Sequence, residues 1–445
     1  MRHVDVAVIG GGPAGLMAAI QAVKAGASVI LIEKNLNLGE KLLISGRGRC
    51  NFTNSEPDVQ KFLSRYSSSS SNYKFLNSAF SKFNQKDAEA FFNSVNVPTV
   101  HERGGRIFPD ESVKPDVKGG QIILNALLNL CKKYGVRILR RSPVIGFDID
   151  INNNKIKRVI TRDDEIECGS VIIAVGGRSY PKTGSTGDGY SLASKLGHNI
   201  IKIYPALVPL KIKESWVKLA SGCDLKNVNL SVYKSAEKIA VRFGEMEFAP
   251  FGISGPIVMD LSSHVPDWIN DNNDVNDNDD NDLQFSLDLK PALTHEVLRN
   301  RIASDFNKFG SKTFAQVLRK LMPSKIISIV LELSDVPHDK PAAYISSEEI
   351  HDLANLIKDI RMTLDNSNHD CGLLSFNHAV ITRGGVDLKE VDPGTMQSKL
   401  CENLYFAGEI LDLNGPSGGF NLQLCWSTGY VAGMSAGLNY KNKNN

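Results

Sequence analysis

Hydrophobic residues at the start of the chain repeat first with the spacing of a strand and then with that of a helix. β-Branched residues fill the stretch HVDVAVIG, which predicts a buried strand that ends at Gly10. Apolar residues in GLMAAIQAVKAG recur at helical spacing, and Gly26 ends that segment. The next stretch, SVILIE, predicts a second strand that ends at Glu33. The pattern therefore predicts strand, glycine turn, helix and strand in that order.

The glycines between the first strand and the helix match the spacing G-x-G-x-x-G. Gly10 allows the tight turn, Gly12 lets the backbone approach a diphosphate, and Gly15 permits close packing of helix and strand. The helix N-terminus favours phosphate charge, and Glu33, about 20 residues further on, accepts hydrogen bonds from a ribose. We predict a dinucleotide site here. Glu33 favours FAD or NAD over NADP because it suits an unphosphorylated ribose.

The C-terminal part of the chain has a related pattern. NLYFAGE predicts a strand that runs into Gly408 and Glu409, where a flavin-binding fold returns the chain to the cofactor. Gly418 and Gly419 then precede a segment of helical period. Free N–H groups at that helix start can face the pyrimidine edge of a flavin, where negative charge develops on reduction. This favours FAD; the alternative is a glycine-rich turn before an ordinary buried helix.

The middle of the chain changes from one pattern to another. GVRILRRSPVIGFDID, KIKRVIT and SVIIAVGG predict further strands of the nucleotide domain, with Val144 as a backbone contact to adenine. From about Tyr204, short strands separated by turns predict a barrel or sandwich. Short helices follow, one of them with Ser346 and Glu349 spaced as a capping box. HAVITRGGV returns the chain to the nucleotide domain.

Composition narrows the class of protein. With 445 residues and 42% hydrophobic content, the chain is long enough for two or three packed units. The net charge is +2 and no Lys/Arg run dominates any segment, which disfavours nucleic acid and anionic membranes as partners and favours a small-molecule substrate. We expect a cytoplasmic protein, because we find neither a secretory signal nor an apolar stretch of ~20 residues.

Metal binding is not indicated. The seven cysteines are scattered without a C-x-x-C pair, so we expect no disulfide framework, redox dithiol or zinc site. The acidic segment at 270–282 lacks the glycine and the closing glutamate of a calcium loop, and we interpret it as a surface loop.

Several long blocks resemble one family of proteins. GEKLLISGRGRCNFTN, GGRIFPDESVKPDV, AVGGRSYPKTGSTGDGY, FGISGP and ITRGGVDLKEVDPGTMQSKLCENLYFAGEILDLNGPSGGFNLQ resemble the BaiN/YhiN-type flavoproteins, which are NAD(P)/FAD-dependent oxidoreductases or aminoacetone oxidase-like enzymes. The resemblance implies a FAD-binding fold of the glutathione-reductase-related type, interrupted by a β-barrel with a small helical subdomain. It does not imply one substrate, since bile-acid olefin reduction and amine oxidation both occur in the family.

The resemblance and the patterns together give an α/β architecture and a set of cofactor contacts. We expect a Rossmann-like FAD-binding domain at 1–195 and 371–445, and an inserted β-barrel domain at 196–370 with helices around 292–360. The residues expected to contact FAD are Gly10, Gly12, Pro13, Ala14, Gly15, Glu33, Lys34, Lys41, Gly46, Gly48, Arg49, Cys50, Asn51, Val144, Ala174, Gly176, Gly177, Gly408, Glu409, Gly418, Gly419, Phe420 and Asn421.

The block SGRGRCNFTN has several interpretations. By the resemblance it passes beside the flavin, with Arg49 as a donor to cofactor or substrate; the alternative is a polar turn after a helix. Cys50 invites a nucleophile hypothesis, but it has no histidine nearby in the sequence and no resolving cysteine, so we favour a packing role. Arg47 stands where a further glycine is common in the family, and we hypothesise that this cation favours an anionic substrate or the phosphate of NADPH.

Catalytic residues are harder to assign. Relatives often carry a Thr-His pair where this chain has Ala249 and Pro250, so an acid or base role for a histidine there is not transferred. Arg49 is one catalytic candidate. The others are Tyr180, Lys182 and Thr183, of which Tyr180 or Lys182 could donate a proton to a polarised double bond. The alternative is that each is an ordinary surface residue.

We therefore predict a FAD-dependent oxidoreductase, with NAD(P)H-linked reduction of a small organic substrate such as a polarised C=C bond. NAD(P)H would bind transiently, because no second GxGxxG unit is visible. The alternatives are an amine oxidase that produces hydrogen peroxide, an RNA-modifying flavoprotein, which the near-neutral charge disfavours, and a scaffold in which FAD is redox-inactive.

Overall fold

The computed structural model describes residues 2–67, 73–150, 152–270, 282–368 and 370–444. Most of the acidic segment interpreted as a surface loop, residues 271–281, lies outside the described residues. The chain forms two compact units, Met1–Pro205 with Val380–Asn445 and Ala206–Ala379. No helix within the described ranges is long and apolar enough to cross a lipid bilayer.

The strands are numbered in chain order. They are β1 (Arg2–Ile9), β2 (Val29–Ile32), β3 (Thr53–Asn54), β4 (Thr99–Glu102), β5 (Arg106–Pro109), β6 (Arg137–Leu139), β7 (Val144–Asp150), β8 (Lys155–Thr161), β9 (Glu165–Ile173), β10 (Ile200–Ala206), β11 (Leu210–Lys211), β12 (Cys223–Lys234), β13 (Glu237–Ala249), β14 (Gly252–Ser254), β15 (Gln284–Asp288), β16 (Ile360–Thr363), β17 (Ile381–Val386) and β18 (Leu404–Phe406).

The α-helices follow the same order. They are α1 (Pro13–Lys24), α2 (Glu40–Ile44), α3 (Val59–Leu63), α4 (Asn77–Lys82), α5 (Gln85–Ser94), α6 (Gly119–Lys133), α7 (Asp188–Lys195), α8 (Pro256–Ser262), α9 (Val265–Asn270), α10 (His295–Lys308), α11 (Phe314–Leu318), α12 (Ser324–Leu333), α13 (Ser347–Lys358) and α14 (Phe420–Asn444).

The main sheet of the first unit confirms the predicted Rossmann-like fold. Its strand order is β6-β2-β1-β9-β8-β7, and β18 also pairs with β9. The strands β6, β2, β1, β9 and β18 run parallel, while β7 and β8 form an antiparallel edge. All four residues of β2 are buried, as expected for a strand inside a parallel sheet. Smaller pairings, β3-β5-β4 and β10-β17, complete this unit.

Helices α1 and α14 pack against each other through a stripe of small residues. Three glycines of α14 at four-residue spacing meet the backbone of alanines on α1 that have the same spacing. A Cβ atom on Gly429 would lie 2.5 Å from Ala14 O, and one on Gly433 would lie 2.2 Å from Ala18 O. Any side chain there would overlap with α1, so the glycines allow the two helix backbones to approach closely.

The second unit contains the predicted barrel. Its six strands pair in the order β11-β14-β13-β12-β15-β16. A bridge between Ile212 and Leu364 and a hydrogen bond from Lys213 N to Thr363 O join the two outer strands, so the sheet closes on itself. Four helices, α10 to α13, lie between β15 and β16 in the chain. The predicted capping box is present at the start of α13, where Ser346 and Glu349 bond reciprocally.

Candidate cofactor site

The turn between β1 and α1 uses its three motif glycines differently. A Cβ on Gly10, whose φ is +102°, would lie 2.6 Å from Ala174 O. A Cβ on Gly15 would lie 1.9 Å from Gly10 O, so both glycines are required by packing. At Gly12, no described atom lies within 4 Å of the Cβ position. Gly12 is also the N-cap of α1 and offers no capping side chain, while Pro13 occupies the first helical position. The start of α1 therefore borders open space.

Glu33 lies directly after β2, beside this turn. Its carboxylate accepts a hydrogen bond of 2.7 Å from Gly11 N and another of 2.8 Å from Asn35 N. Each carboxylate oxygen keeps a second acceptor position. Lys34, the next residue, forms an ion pair of 2.6 Å with Asp188 and donates to Thr186. The end of β2 is therefore fixed to the loop that precedes α7.

That loop contains three of the four predicted catalytic candidates; the fourth, Arg49, lies in the turn at 45–51. Tyr180 has a left-handed backbone, with φ +52°, and begins a short 3-10 turn that includes Lys182 and Thr183. The carbonyl of Thr183 accepts a hydrogen bond of 3.2 Å from the Asn35 side chain, and Lys182 is exposed. The turn thus lies beside the residues that follow β2, on the side of the predicted ribose contact. A catalytic role for these residues stays a prediction.

A polar network around Glu409 joins four distant segments. Lys41 Nζ lies 2.8 Å from Glu409 Oε2 and 2.5 Å from Ser179 Oγ. Thr382 N donates to Glu409 Oε1 over 2.8 Å, and Thr382 Oγ1 accepts from the backbone N–H groups of Arg178 and Ser179. The sequence prediction included Lys41 and Glu409 but missed Ser179 and Thr382. Both missed residues lie inside blocks that resemble the family, which is the signal that could have found them.

The glycines on either side of this network hold tight turns. A Cβ on Gly177 would lie 2.4 Å from Thr382 Oγ1, and Gly176 has φ +75°. Gly408 has φ +80°, and its N–H donates to Thr428 Oγ1 over 2.9 Å. Ala174 is buried and its N–H donates to Ile9 O over 2.8 Å. These contacts fix the end of β9 and the chain that follows β18.

The start of α14 contacts the strand β3. Gly418 and Gly419 have φ values of +112° and +101°. A Cβ on Gly419 would lie 2.3 Å from Thr53 O and 2.9 Å from Asn51 Oδ1. Asn54 Nδ2 donates to Gly418 O over 3.0 Å. The structure therefore brings the block SGRGRCNFTN and the glycine-rich start of α14 together.

Two predicted residues of α14 are engaged within the protein. The ring centroids of Phe420 and Phe62 lie 4.5 Å apart. The backbone carbonyl of Phe420 accepts a hydrogen bond from the Tyr66 hydroxyl. The Asn421 side chain accepts from Gly415 N and donates to Gly415 O, each over 2.8 Å, so it holds the preceding loop. Direct contact of either side chain with FAD stays a prediction.

The turn at 45–51 places its side chains in different surroundings. Arg49 pairs with Glu102 at 2.5 Å and lies over the Phe108 ring at 4.2 Å. Its role as a donor to cofactor or substrate stays a prediction, and Glu102 already holds the guanidinium. Cys50 is fully buried, and burial raises the pKa of its thiol to about 12, which fits packing rather than nucleophilic attack. Arg47 is exposed and has a left-handed backbone.

The remaining predicted residues lie further along these elements. Gly46 faces Asn51, and a Cβ on it would lie 3.3 Å from Asn51 N. Gly48 has φ +90° and faces the Lys118 side chain. Val144 is the first residue of β7 and pairs with Thr161.

The residues present fit FAD. At the start of α1, an uncapped helix end borders open space, which suits a diphosphate. At the start of α14, Asn51 Oδ1 is buried and has no hydrogen-bond partner in the described part of the chain. A buried acceptor next to a helix N-terminus suits a ligand edge that has both donors and acceptors, as the pyrimidine ring of a flavin does. Glu33 and Lys41 supply a ribose acceptor and a cation.

The fold and these donors define a Rossmann-type FAD-binding protein. The model of the HI0933-like protein Rossmann domain matches residues 4–435. The chain belongs to the HI0933-like family, which confirms the resemblance drawn from the sequence blocks, and it is a FAD-dependent oxidoreductase.

Proteins with assigned activities resemble this chain over their whole length. It is 29% identical to the 3-dehydro-bile acid delta(4,6)-reductase of Clostridium scindens, over 97% of this chain and 98% of the relative. It is 31% identical to the ribosomal RNA dihydrouridine synthase of Haemophilus influenzae, over 98% of each. Among solved structures, the 3-ketosteroid delta1-dehydrogenase of Sterolibacterium denitrificans has a TM-score of 0.51 at 12% identity, covering 99% of this chain and 100% of that one, which shows a shared fold.

Proposed function

We propose that the protein reduces a carbon–carbon double bond conjugated to a carbonyl group, with electrons from NADH or NADPH. The observation that carries this proposal is the chemistry common to two relatives with unlike substrates. A 3-dehydro-bile acid with double bonds at positions 4 and 6 has them in conjugation with its 3-keto group. Dihydrouridine forms when the 5,6 double bond of uracil, conjugated to the 4-carbonyl, is reduced. Both names therefore describe reduction of a carbon–carbon double bond that is conjugated with a carbonyl group.

Once reduced by the nicotinamide, bound FAD would supply the hydride in such a reaction. The protein must hold the cofactor, orient the substrate carbonyl and deliver a proton to the α-carbon. The start of α1 and Glu33 would hold the diphosphate and ribose, while the network around Glu409 fixes the segments that line the cofactor. Tyr180 and Lys182 stay our proton-donor hypothesis. A cytoplasmic location stays part of the proposal.

An anaerobic experiment tests this function. The purified yellow protein is mixed with NADH or NADPH while the visible absorbance of the flavin is followed. The reduced protein is then mixed with a 3-keto-4-ene steroid, a uracil-containing RNA or a saturated ketone as control. We expect bleaching by a nicotinamide and return of colour with a conjugated substrate only. Failure of every conjugated compound to restore the colour contradicts the proposal. Bleaching by an amine, followed by peroxide on admission of air, supports the amine oxidase instead.

RNA is the second candidate substrate. The relative from Haemophilus influenzae is the more identical of the two named above, at 31%, and acts on ribosomal RNA by its name. The low net charge of +2 disfavours RNA only if the charges are spread evenly over the surface. The charges are not spread evenly, because cations cluster on one part of the second unit.

A further inference from the structure

Three lysines of the helical subdomain converge on one aromatic ring. Lys320 Nζ lies 3.2 Å from the centroid of the Phe309 ring, Lys308 Nζ lies 5.5 Å from it, and Lys312 Nζ lies 5.6 Å from it. We call Lys308, Lys312, Lys320 and Phe309 the Phe309 lysine cluster. All three lysines are exposed and the ring is half-buried. The cluster therefore presents three ammonium groups to solvent around one ring.

The fold holds these side chains together. Lys308 is the last residue of α10, and Lys320 follows the end of α11. Phe306 of α10 and Phe314 of α11 are buried and pack edge to face at 5.9 Å, which fixes the two helices. Thr313 caps α11 in a reciprocal capping box, and Lys312 N donates to Phe309 O over 2.8 Å. The convergence results from buried packing rather than from surface side chains alone.

The residues that the structure describes do not neutralise the charges of the cluster. None of the three ammonium groups forms an ion pair with any residue that the structure describes. Partial desolvation and the nearby charges of Lys312 and Lys308 lower the pKa of Lys320, while Asp305 acts in the opposite direction. The three ammonium groups all lie within 5.6 Å of one ring centroid and repel one another. An anion bound among them would relieve that repulsion.

The surrounding segment is strongly basic. Residues 295–325 contain seven Lys or Arg and two Asp or Glu, a net charge of +5, although the whole chain carries only +2. The cations are separated along the sequence, so no basic run is visible there. Lys308 and Lys312 lie close to Phe309 in the sequence, and α11 brings Lys320 to the same ring. The low net charge of the whole chain therefore does not argue against nucleic-acid binding at this surface.

We propose that the Phe309 lysine cluster binds the phosphate backbone of an RNA strand. The proposal rests on the proposed function with RNA as its substrate. Lysine ammonium groups suit phosphates as point charges and read no base sequence, which is appropriate for docking a large RNA before one base reacts. RNA fits better than a lone phosphate, because the basic segment extends beyond the cluster to Arg301 and Arg319, which can meet further phosphates of a strand.

Binding of RNA to the FAD-loaded full chain tests the proposal. The probe is a fluorescein-labelled single-stranded RNA of mixed sequence, about 20 nucleotides long, followed by anisotropy at several KCl concentrations. The variant carries Lys308→Gln, Lys312→Gln and Lys320→Gln. We expect at least a tenfold weaker Kd and a log–log salt slope reduced by about 2, as for three lost phosphate contacts on a single strand.

A second triple variant matches the loss of charge. It carries Lys218→Gln, Lys226→Gln and Lys238→Gln, three exposed lysines elsewhere in the same unit. We expect its Kd to stay within twofold of the wild type. If both triples weaken RNA binding equally, or if neither does, the cluster is not the docking surface. A third variant, with Lys308→Arg, Lys312→Arg and Lys320→Arg, keeps the charges and should bind RNA like the wild type, so lost binding there overturns the phosphate argument.

Two further measurements separate this proposal from the proposed function. Melting temperature and bound FAD of the Gln triple show whether it is folded; if it is not, Lys308→Gln and Lys320→Gln alone are compared with the control lysines. Vesicles of 30% anionic lipid are tested as an alternative partner, and cluster-dependent binding of vesicles without RNA overturns the proposal. Failure of the wild type to reduce any conjugated substrate refutes the proposed function, whereas cluster-dependent RNA binding still supports this site.

Discussion

Two helices of this protein begin with glycines, and the structure uses those glycines in different ways. At the start of α1, a Cβ on Gly12 would meet no described atom within 4 Å, so the small residue leaves space. At the start of α14, a Cβ on Gly419 would lie 2.3 Å from Thr53 O, so the small residue allows contact with β3. Gly418, with φ +112°, serves the turn.

The difference shows that glycines before a helix do not by themselves indicate a ligand. The space at Gly12 is available to a diphosphate, whereas the space at Gly419 is filled by the protein. What suits the start of α14 to a flavin is the helix N-terminus together with Asn51 Oδ1, a buried acceptor without a partner among the described residues. The start of α1 is therefore tested by a substitution that fills its space and adds a charge. The start of α14 is tested by a substitution that adds a charge alone.

The largest expected effect is at the open helix start. Gly12→Asp places a carboxylate where the FAD diphosphate would bind, and repulsion between like charges at about 4 Å is worth ~4 kcal/mol near a protein surface. We expect the Kd for FAD, measured by fluorescence titration of the apoprotein, to rise at least ~100-fold.

Gly12→Asn is the matched control. Asp and Asn are both good N-caps, and Gly12 has a φ of −82° and free space, so neither change should unfold the protein. Equal FAD affinity of the Asp and Asn variants would refute a diphosphate at this position.

The second effect concerns the glycine stripe that brings α14 onto α1. Gly433→Ala puts a methyl group 2.2 Å from Ala18 O, and we expect a loss of about 1–3 kcal/mol in the free energy of unfolding, by urea titration. Gly146→Ala is the control, because no described atom lies within 4 Å of its Cβ position. Equal stability of both variants would contradict the close packing of α14 against α1.

The third effect concerns the network around Glu409. Lys41→Met leaves the half-buried carboxylate with the donors Ser179 and Thr382 only, and we expect a loss of about 1–3 kcal/mol in unfolding free energy. Lys61→Met removes a cation that is 60% exposed in its ion pair with Glu56, and should cost under about 1 kcal/mol. A larger loss for Lys61→Met would contradict this ranking.

The smallest effect is a pH dependence of stability. Burial lowers the pKa of His198, and the hydrogen bond that His198 Nδ1 donates to Glu390 opposes this only in part. An unfolded histidine takes up its proton near pH 6.5 while the folded one resists, so stability should fall as the pH drops below about 6.5. The slope is at most about 1.4 kcal/mol per pH unit for this residue.

Replacing His198 shows how much of the pH dependence of stability comes from this residue. His198→Gln should flatten the decline of melting temperature between pH 7 and pH 5, and His351→Gln, at an exposed position, should leave it unchanged. A decline that is equally steep in both variants would assign the pH dependence to other groups.

Local patterns predicted much of the fold from the sequence. Strand and helix periods gave the β1–α1–β2 unit, and turn spacing gave the barrel, because both depend on neighbours a few residues apart. The capping box at Ser346 and Glu349 was visible for the same reason. The roles of Gly10 and Gly15 followed from the geometry of a strand–helix turn.

Contacts between distant segments could not be predicted in this way. Glu102, which holds Arg49, is 53 residues away from it, and Ser179 and Thr382 reach Glu409 only after the chain has folded. Lys320 likewise reaches the Phe309 ring only across α11, although Lys308 and Lys312 lie close to that residue in the sequence. Such groups depend on tertiary packing, which no short window of sequence contains.

The account depends most on a single flavin that reaches both helix starts. Ser417, exposed just before Gly418, allows a charge to be added there with little change of shape. The decisive measurement is the two-electron midpoint potential of bound FAD in Ser417→Asp and in Ser417→Asn. Our account predicts that the Asp variant retains FAD and has a potential lower by about 20 mV or more, since an added anion opposes charge on the reduced ring. Equal potentials in the two variants would contradict it.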